Sequence, residues 1–203
     1  MVLCRFRYRP EDVVCKNCVK YQKKKCTMPV CPWLEERAEA GTVTYASLAA
    51  EYYGNLSEDN LGGRAASLLA HRTGVFYHDE AHPARLRACA PLMIRHQQEN
   101  DRLAAIYLLT ATEHLSRTAL PRLFDLWTIR PDNWETMRTL SQQEYVLYQA
   151  AKSLWQKRRC ISHAELSDRE LVDDAALTLI LDAQLIEHYG KAMLSIGQKG
   201  GGK

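Results

Sequence analysis

Apolar residues recur every three to four positions along most of this chain, which is the spacing of α-helices that bury one face. Thr44 can cap a helix over residues 45–53, and Gly54 ends the apolar pattern. Upstream, the sequence predicts a short helix with Pro32 in its first position and Gly41 after its end.

A second helix of this region begins at Ser57 or Asn60 and runs to about Arg72. Two short helices in succession predict either a plain helical hairpin or a helix-turn-helix. The connecting loop is longer than the usual turn, and Gly62 and Gly63 weaken the start of the would-be recognition helix. These features favour the hairpin.

From residue 76 onward the pattern predicts one helix after another. Pro83 stands early in one helix and Pro91 lies inside it, so this helix should kink or break near Cys89. Asn100 begins the next helix.

Two Ser-x-x-Glu sequences predict capping boxes that open helices. Ser141 and Glu144 open one helix. Ser167 and Glu170 open the longest, which Gly190 ends. Strand-like alternation does not persist beyond four residues, so the fold class is mainly α.

Charge divides the chain into a basic start and a mildly acidic remainder. The 203 residues carry a net charge of +3, whereas residues 1–32 carry eight Lys or Arg against two acidic residues, a charge of +6. With 46% hydrophobic residues, the chain can build one medium core. It shows neither a secretory signal nor an apolar run that could span a membrane, which predicts a cytoplasmic protein with no membrane partner.

Five of the seven cysteines lie within the first 31 residues, and four of them have the spacing of zinc ligands. Cys15 and Cys18 form a C-x2-C pair, and Cys26 and Cys31 supply a second pair. In a reducing compartment such a cluster favours a structural zinc ion over disulfides, with pairs of free thiols as a further alternative. Cys4 is a reserve ligand.

A zinc ion with four thiolates has no open coordination position, so the predicted knuckle presents a surface and performs no catalysis. Basic residues mixed with an aromatic residue suit contacts with phosphates and bases, although lysines can also serve only to keep a small module in solution. The predicted nucleic-acid-binding residues are Lys16, Lys20, Tyr21, Lys23, Lys24 and Lys25.

Two motif matches are interpreted as chance. Residues 79–82 read DEAH, but no phosphate-binding loop precedes them, and the glycine-rich match from Gly197 to Lys203 lacks a following helix. His78 and His82 are four apart, yet Pro83 favours a capping or surface role.

The remaining candidate groups predict no active site and no small-molecule substrate. Cys89 and Cys160 fall on helical patterns and are expected to be ordinary thiols. Asp173, Asp174 and Asp182 are expected to face water. The sequence therefore predicts a protein that is not an enzyme.

The predicted organisation is a small N-terminal zinc knuckle with four cysteine ligands, followed by a multi-helix domain. Residues 1–40 hold the basic knuckle and first helix, and residues 41–75 the helical hairpin. Residues 76–196 form an α-helical domain, and residues 197–203 a flexible tail.

Four segments together resemble uncharacterised proteins of integrative and phage-like elements of gut Firmicutes. These are the CKNC…C…CPWLEER junction, AAIYLLTATEHL, YVLYQAAKSLW and LILDAQLIEHYGKAMLSI, spread over about residues 15–196. None is a catalytic signature, so the resemblance implies a mobile-element setting and no activity. Residues 41–75 match least.

Two functions agree with these features. The first is an accessory protein that binds nucleic acid or a nucleoprotein through its basic head. The alternative is an inhibitor or adaptor whose helical body docks on a host protein, with a purely structural zinc site. Phosphate binding should weaken as salt rises, whereas a helix-face interface should respond little.

Overall fold

A computed structural model describes residues 7–54, 60–89, 100–125 and 138–197, except for the side chains of 121–125. Within these ranges the chain forms ten α-helices and one two-stranded hairpin. The mainly α fold is therefore confirmed.

The described elements follow one another in this order along the chain. The hairpin consists of β1 (Tyr21–Gln22) and β2 (Lys25–Cys26). The helices are α1 (Leu34–Glu39), α2 (Tyr45–Tyr53), α3 (Asn60–Leu69), α4 (His82–Ala88), α5 (Asn100–Leu109), α6 (Glu113–Asp125), α7 (Gln142–Gln156), α8 (His163–Ser167), α9 (Asp174–Tyr189) and α10 (Ala192–Ser195).

The centre of the molecule is a layer in which α5 packs against both α7 and α9. Helices α5 and α9 have buried residues on nearly every side, as expected for helices enclosed by other helices. Leu34 of α1, Tyr45 of α2 and Leu69 of α3 belong to the same hydrophobic core. One core thus joins the first three helices to the later ones.

Several helix ends form where the sequence predicts them. Thr44 caps α2, Asn100 begins α5, and Gly190 follows the last residue of α9 with a φ of 75°. Ser141 and Glu144 form the predicted capping box of α7. The Glu144 carboxylate also accepts a 2.6 Å hydrogen bond from the Thr112 hydroxyl.

The predicted start of the longest described helix is wrong. Ser167 is the last residue of α8, and its hydroxyl donates to the His163 carbonyl instead of capping a new helix. Helix α9 begins at Asp174, and the Asp173 carboxylate accepts a 2.7 Å hydrogen bond from the Ala176 N–H. An aspartate at the N-cap thus opens this helix.

Asp182 is fully buried within α9, so the prediction that it faces water is also wrong. Its carboxylate accepts hydrogen bonds of 2.5 Å from the Tyr45 hydroxyl and 2.6 Å from the Phe76 N–H. Arg72 Nη2 lies 3.2 Å from the same carboxylate. Burial raises the pKa of Asp182 to about 6, although Arg72 and the hydrogen bonds oppose the rise. Asp173 and Asp174 are exposed, as expected.

Candidate nucleic-acid interface and metal site

The first pair of cysteines lies in a tight turn. Residues Cys15–Asn17 form one turn of 3-10 helix, and the Cys18 N–H donates a 3.0 Å hydrogen bond to the Cys15 carbonyl. The Tyr21 N–H then donates to the Cys18 carbonyl at 2.9 Å. This turn leads the chain directly from the C-x2-C pair into β1.

A two-residue turn closes the hairpin, and both of its residues are lysines. Tyr21 pairs with Cys26, and Gln22 pairs with Lys25. Lys23 and Lys24 have φ values of 48° and 65°, as a type I′ turn requires. Asn-Gly is the preferred sequence there, because side chains other than Asn, Asp or Gly are unfavourable in the left-handed region.

All four predicted zinc ligands border one cavity of about 420 Å³. Cys18 and Cys31 are half-buried and Cys15 and Cys26 are exposed, and all four are free thiols. Among the residues that the structure describes, no three His, Cys, Asp or Glu side chains are arranged as a metal site. The four thiols therefore share a cavity without forming a ready ligand set, and the zinc site stays a prediction. Cys4 lies outside the described residues.

The segment around these cysteines has no core of its own. None of residues 7–33 is buried, and Leu34 is the first buried residue of the described chain. We call residues 7–33 the head. A segment of this size without buried side chains needs a disulfide, a metal or a partner to hold one conformation.

The predicted nucleic-acid-binding residues surround this turn and hairpin. All five lysines are exposed, and none forms an ion pair within the described part of the chain. Tyr21 is half-buried and borders the cavity of the cysteines. Because Tyr21 and Cys26 are a directly opposed pair, they share one face of the hairpin, and Lys25 lies on the other face.

Helix α3 does not offer a cationic surface. Arg64 is its one basic residue in the described range 60–69, and that side chain is buried. The guanidinium lies 2.6 Å from the Asp174 carboxylate and donates a 2.7 Å hydrogen bond to the Val172 carbonyl. The outer face of α3 is left with small and polar residues, which suits a packed hairpin better than a recognition helix.

The DEAH tetrapeptide leads into α4, which begins at its last residue, His82. Asp79 Oδ1 accepts hydrogen bonds of 2.9 Å and 2.7 Å from the N–H groups of Ala81 and His82. The same carboxylate lies 2.9 Å from Arg85 Nη2. These contacts use Asp79 to hold the turn that precedes the helix.

His82 is buried, so of the expected capping or surface role the surface part is wrong for this residue, whereas His78 is exposed. Its Nδ1 accepts a 3.2 Å hydrogen bond from the His78 N–H, and its Nε2 lies 2.9 Å from the Tyr107 carbonyl, to which it donates. Burial lowers the pKa of His82 to about 4. Both ring nitrogens are thus engaged within the core, and the ring is neutral.

The sequence pattern did not single out a second basic cluster, which follows α7. Lys157, Arg158 and Arg159 are exposed and border a cavity of about 700 Å³ between α5, α7 and α9. Lys157 lies 3.3 Å from the Asp101 carboxylate. The KRR sequence could have been noted as a charge run, but its position between two cavities depends on helix packing.

No known protein family, curated protein or solved structure is significantly similar to this chain. The resemblance to mobile-element proteins therefore stays a prediction. Among the described residues, every helix is too short or too polar to cross a membrane.

Proposed function

We propose that this chain is a zinc-stapled accessory protein of a mobile genetic element that binds nucleic acid or a nucleoprotein through its head. The observation that carries the proposal is the set of exposed lysines without ion-pair partners in the described chain, placed around one turn and one hairpin. Lysine side chains of this kind contact phosphates without reading sequence.

The conformation of the hairpin turn supports a role for the charge. Lys23 and Lys24 adopt positive φ, which costs roughly 1–2 kcal/mol for each residue that is not glycine. Asn-Gly would fit this turn with less strain and no charge. The two lysines therefore place charge at the hairpin tip at the expense of local stability.

Zinc is the staple in this proposal. Cys15, Cys18, Cys26 and Cys31 would hold it, since all four border one cavity in a head that has no buried side chain. Four thiolates complete the coordination of zinc, so the ion would fix the turn and hairpin without activating water.

Fluorescence anisotropy with labelled oligonucleotides at physiological salt tests the proposal. The variant is Lys23→Asn/Lys24→Gly, which removes two charges and relaxes the turn. If each lysine contributes roughly 0.2–1 kcal/mol to phosphate binding, affinity should fall roughly 2- to 30-fold, about equally for every sequence.

The matched control is Arg87→Gln/Arg169→Gln, which removes two exposed charges from the helical body. This control should bind as the unmodified protein does. Equal losses in both variants would mean that net charge, and not the head, attracts the nucleic acid. Absence of binding in the unmodified protein would contradict the proposal.

A further inference from the structure

The head exposes an unusual share of apolar surface. Six large hydrophobic side chains of the described chain are exposed, and four of them lie in the head. These four are Val14, Val19, Met28 and Trp33, with Trp33 52% exposed. Apolar side chains clustered on a surface mark a binding site more often than singly scattered ones do.

All four of these side chains belong to the cavity that the cysteines border, together with two tyrosines. Val14, Val19, Met28 and Trp33 line it with Tyr8 and Tyr21. Its volume of about 420 Å³ falls within the range of sites for small planar ligands. A tetrahedral zinc ion is compact, with Zn–S distances of about 2.3 Å, so it would occupy only a small part of this volume.

Two polar side chains of α1 border the same cavity. Glu36 and Arg37 are half-buried, and neither side chain forms a hydrogen bond or ion pair with another described residue. A carboxylate accepts hydrogen bonds from the amino groups of bases, and a guanidinium donates to their ring nitrogens and carbonyls. Asp12 and Glu51 also border the cavity, so three carboxylates disfavour a phosphate there.

The lysines lie outside this cavity. None of them is among the described residues that line it, and Lys25 lies on the hairpin face opposite Tyr21. The head therefore separates an aromatic cavity from a cationic surface. A nucleic-acid strand has the same division between its bases and its phosphates.

We propose that this cavity receives one unpaired nucleobase, so that the head binds single-stranded nucleic acid in preference to duplex. The base would stack on the aromatic wall, to which Trp33 contributes, while the neighbouring phosphates contact the lysines of the hairpin. In a duplex the bases are stacked inside the helix and cannot enter. This inference rests on the proposed function and adds the class of nucleic acid.

Trp33→Ala in the full chain tests the base pocket, with a labelled 12-nucleotide single strand and its duplex as probes. Stacking on one aromatic residue changes affinity roughly 5- to 150-fold, so single-strand binding should weaken by that factor. Duplex binding should stay unchanged. Trp33→Phe should keep most of the single-strand affinity, because it keeps an aromatic face.

Tyr145→Ala is the matched control, since Tyr145 is an exposed aromatic residue of the helical body, 43% exposed. This substitution should change neither the single-strand affinity nor the duplex affinity. Circular dichroism and metal content, equal in all variants, show that the head remains folded. If Trp33→Ala perturbs them, Glu36→Gln replaces it and must then weaken single-strand binding more than duplex binding, while Trp33→Phe must keep most of the single-strand affinity.

Two outcomes overturn the base pocket and leave the proposed function standing. One is unchanged single-strand binding in Trp33→Ala, while Lys23→Asn/Lys24→Gly still weakens it. The other is an equal loss of affinity for single strand and for duplex in Trp33→Ala. If the unmodified protein binds neither probe, both proposals fail, and the apolar cavity is a surface for a protein side chain.

Discussion

At the scale of single residues, burial separates polar groups that look alike in the sequence. Asp173 lies just before an apolar helical segment and Asp182 lies within it. Asp173 is exposed and caps α9, whereas the Asp182 side chain is fully buried. The apolar run on both sides of Asp182 is a signal of burial that the expectation of a water-facing carboxylate overlooked. Its partners Tyr45 and Phe76 lie more than 100 positions away in the chain, so sequence spacing could not reveal them.

The two buried groups Asp182 and His82 should have opposite effects on stability between pH 4 and 6. The pKa of Asp182 is raised to about 6, so its contribution is lost as pH rises through this range. The pKa of His82 is lowered to about 4, so its contribution is lost as pH falls from its ordinary value of 6.5. The contributions of these two groups to the unfolding free energy should therefore largely cancel over this range.

Asp182→Asn should remove this compensation. The unfolding free energy of the variant should fall on acidification from pH 6.5 to pH 4.5, by up to about 3 kcal/mol if His82 acts alone. Urea unfolding at several pH values gives the slope of the unfolding free energy against pH. This slope, and not the absolute free energy, is compared between variant and unmodified protein, because the substitution also lowers stability at every pH. A variant whose profile runs parallel to that of the unmodified protein would contradict the assignment of these two pKa shifts.

At the scale of elements, the start of a helix was predictable where a capping box and an apolar stripe indicate the same residue, and short irregular elements were not predictable. Helix α7 combines an apolar stripe with a Ser-x-x-Glu box, and both indicate the same start. Ser162 with Glu165 and Ser167 with Glu170 also match this pattern, but only the first forms a box. The backbone after Ser167 turns, and Asp173 supplies a competing cap.

The hairpin of the head could not be predicted from periodicity. Its strands have two residues each, too few to show alternation, and its turn lacks the usual Asn-Gly. Cysteine spacing predicted which residues would share a site, and all four do border one cavity. Trp33 was missed as a site residue because its position at the start of a predicted helix does not show that its side chain borders the cysteine cavity.

Metal removal should affect the head alone. We expect one zinc ion per chain, absent from Cys15→Ser/Cys31→Ser and retained in Cys160→Ser, whose thiol lies in the helical body. Chelation should unfold the head because none of its described side chains is buried, while the far-UV circular dichroism of the helices persists.

Mass spectrometry under native conditions and circular dichroism check this expectation. If protein purified under reducing conditions contains no zinc, or if the double variant retains zinc, the cysteines serve another purpose.

At the scale of the whole molecule, charge and apolar surface are distributed unequally. Residues 1–32 carry a charge of +6, which leaves −3 for the rest of the chain. In the described part of the chain, the core begins at Leu34, after the head, and four of the six exposed large apolar side chains lie in the head. In the proposed function, this division would direct a polyanion to the head.

The salt dependence of single-strand binding is the measurement that tests this account most directly. The logarithm of the association constant should fall linearly with the logarithm of salt concentration, by about 0.7 per phosphate contact. Lys23→Asn/Lys24→Gly should make this slope shallower by up to about 1.4, and Arg87→Gln/Arg169→Gln should leave it unchanged. A slope near zero, or one that the hairpin variant does not alter, would contradict binding of nucleic acid through the head.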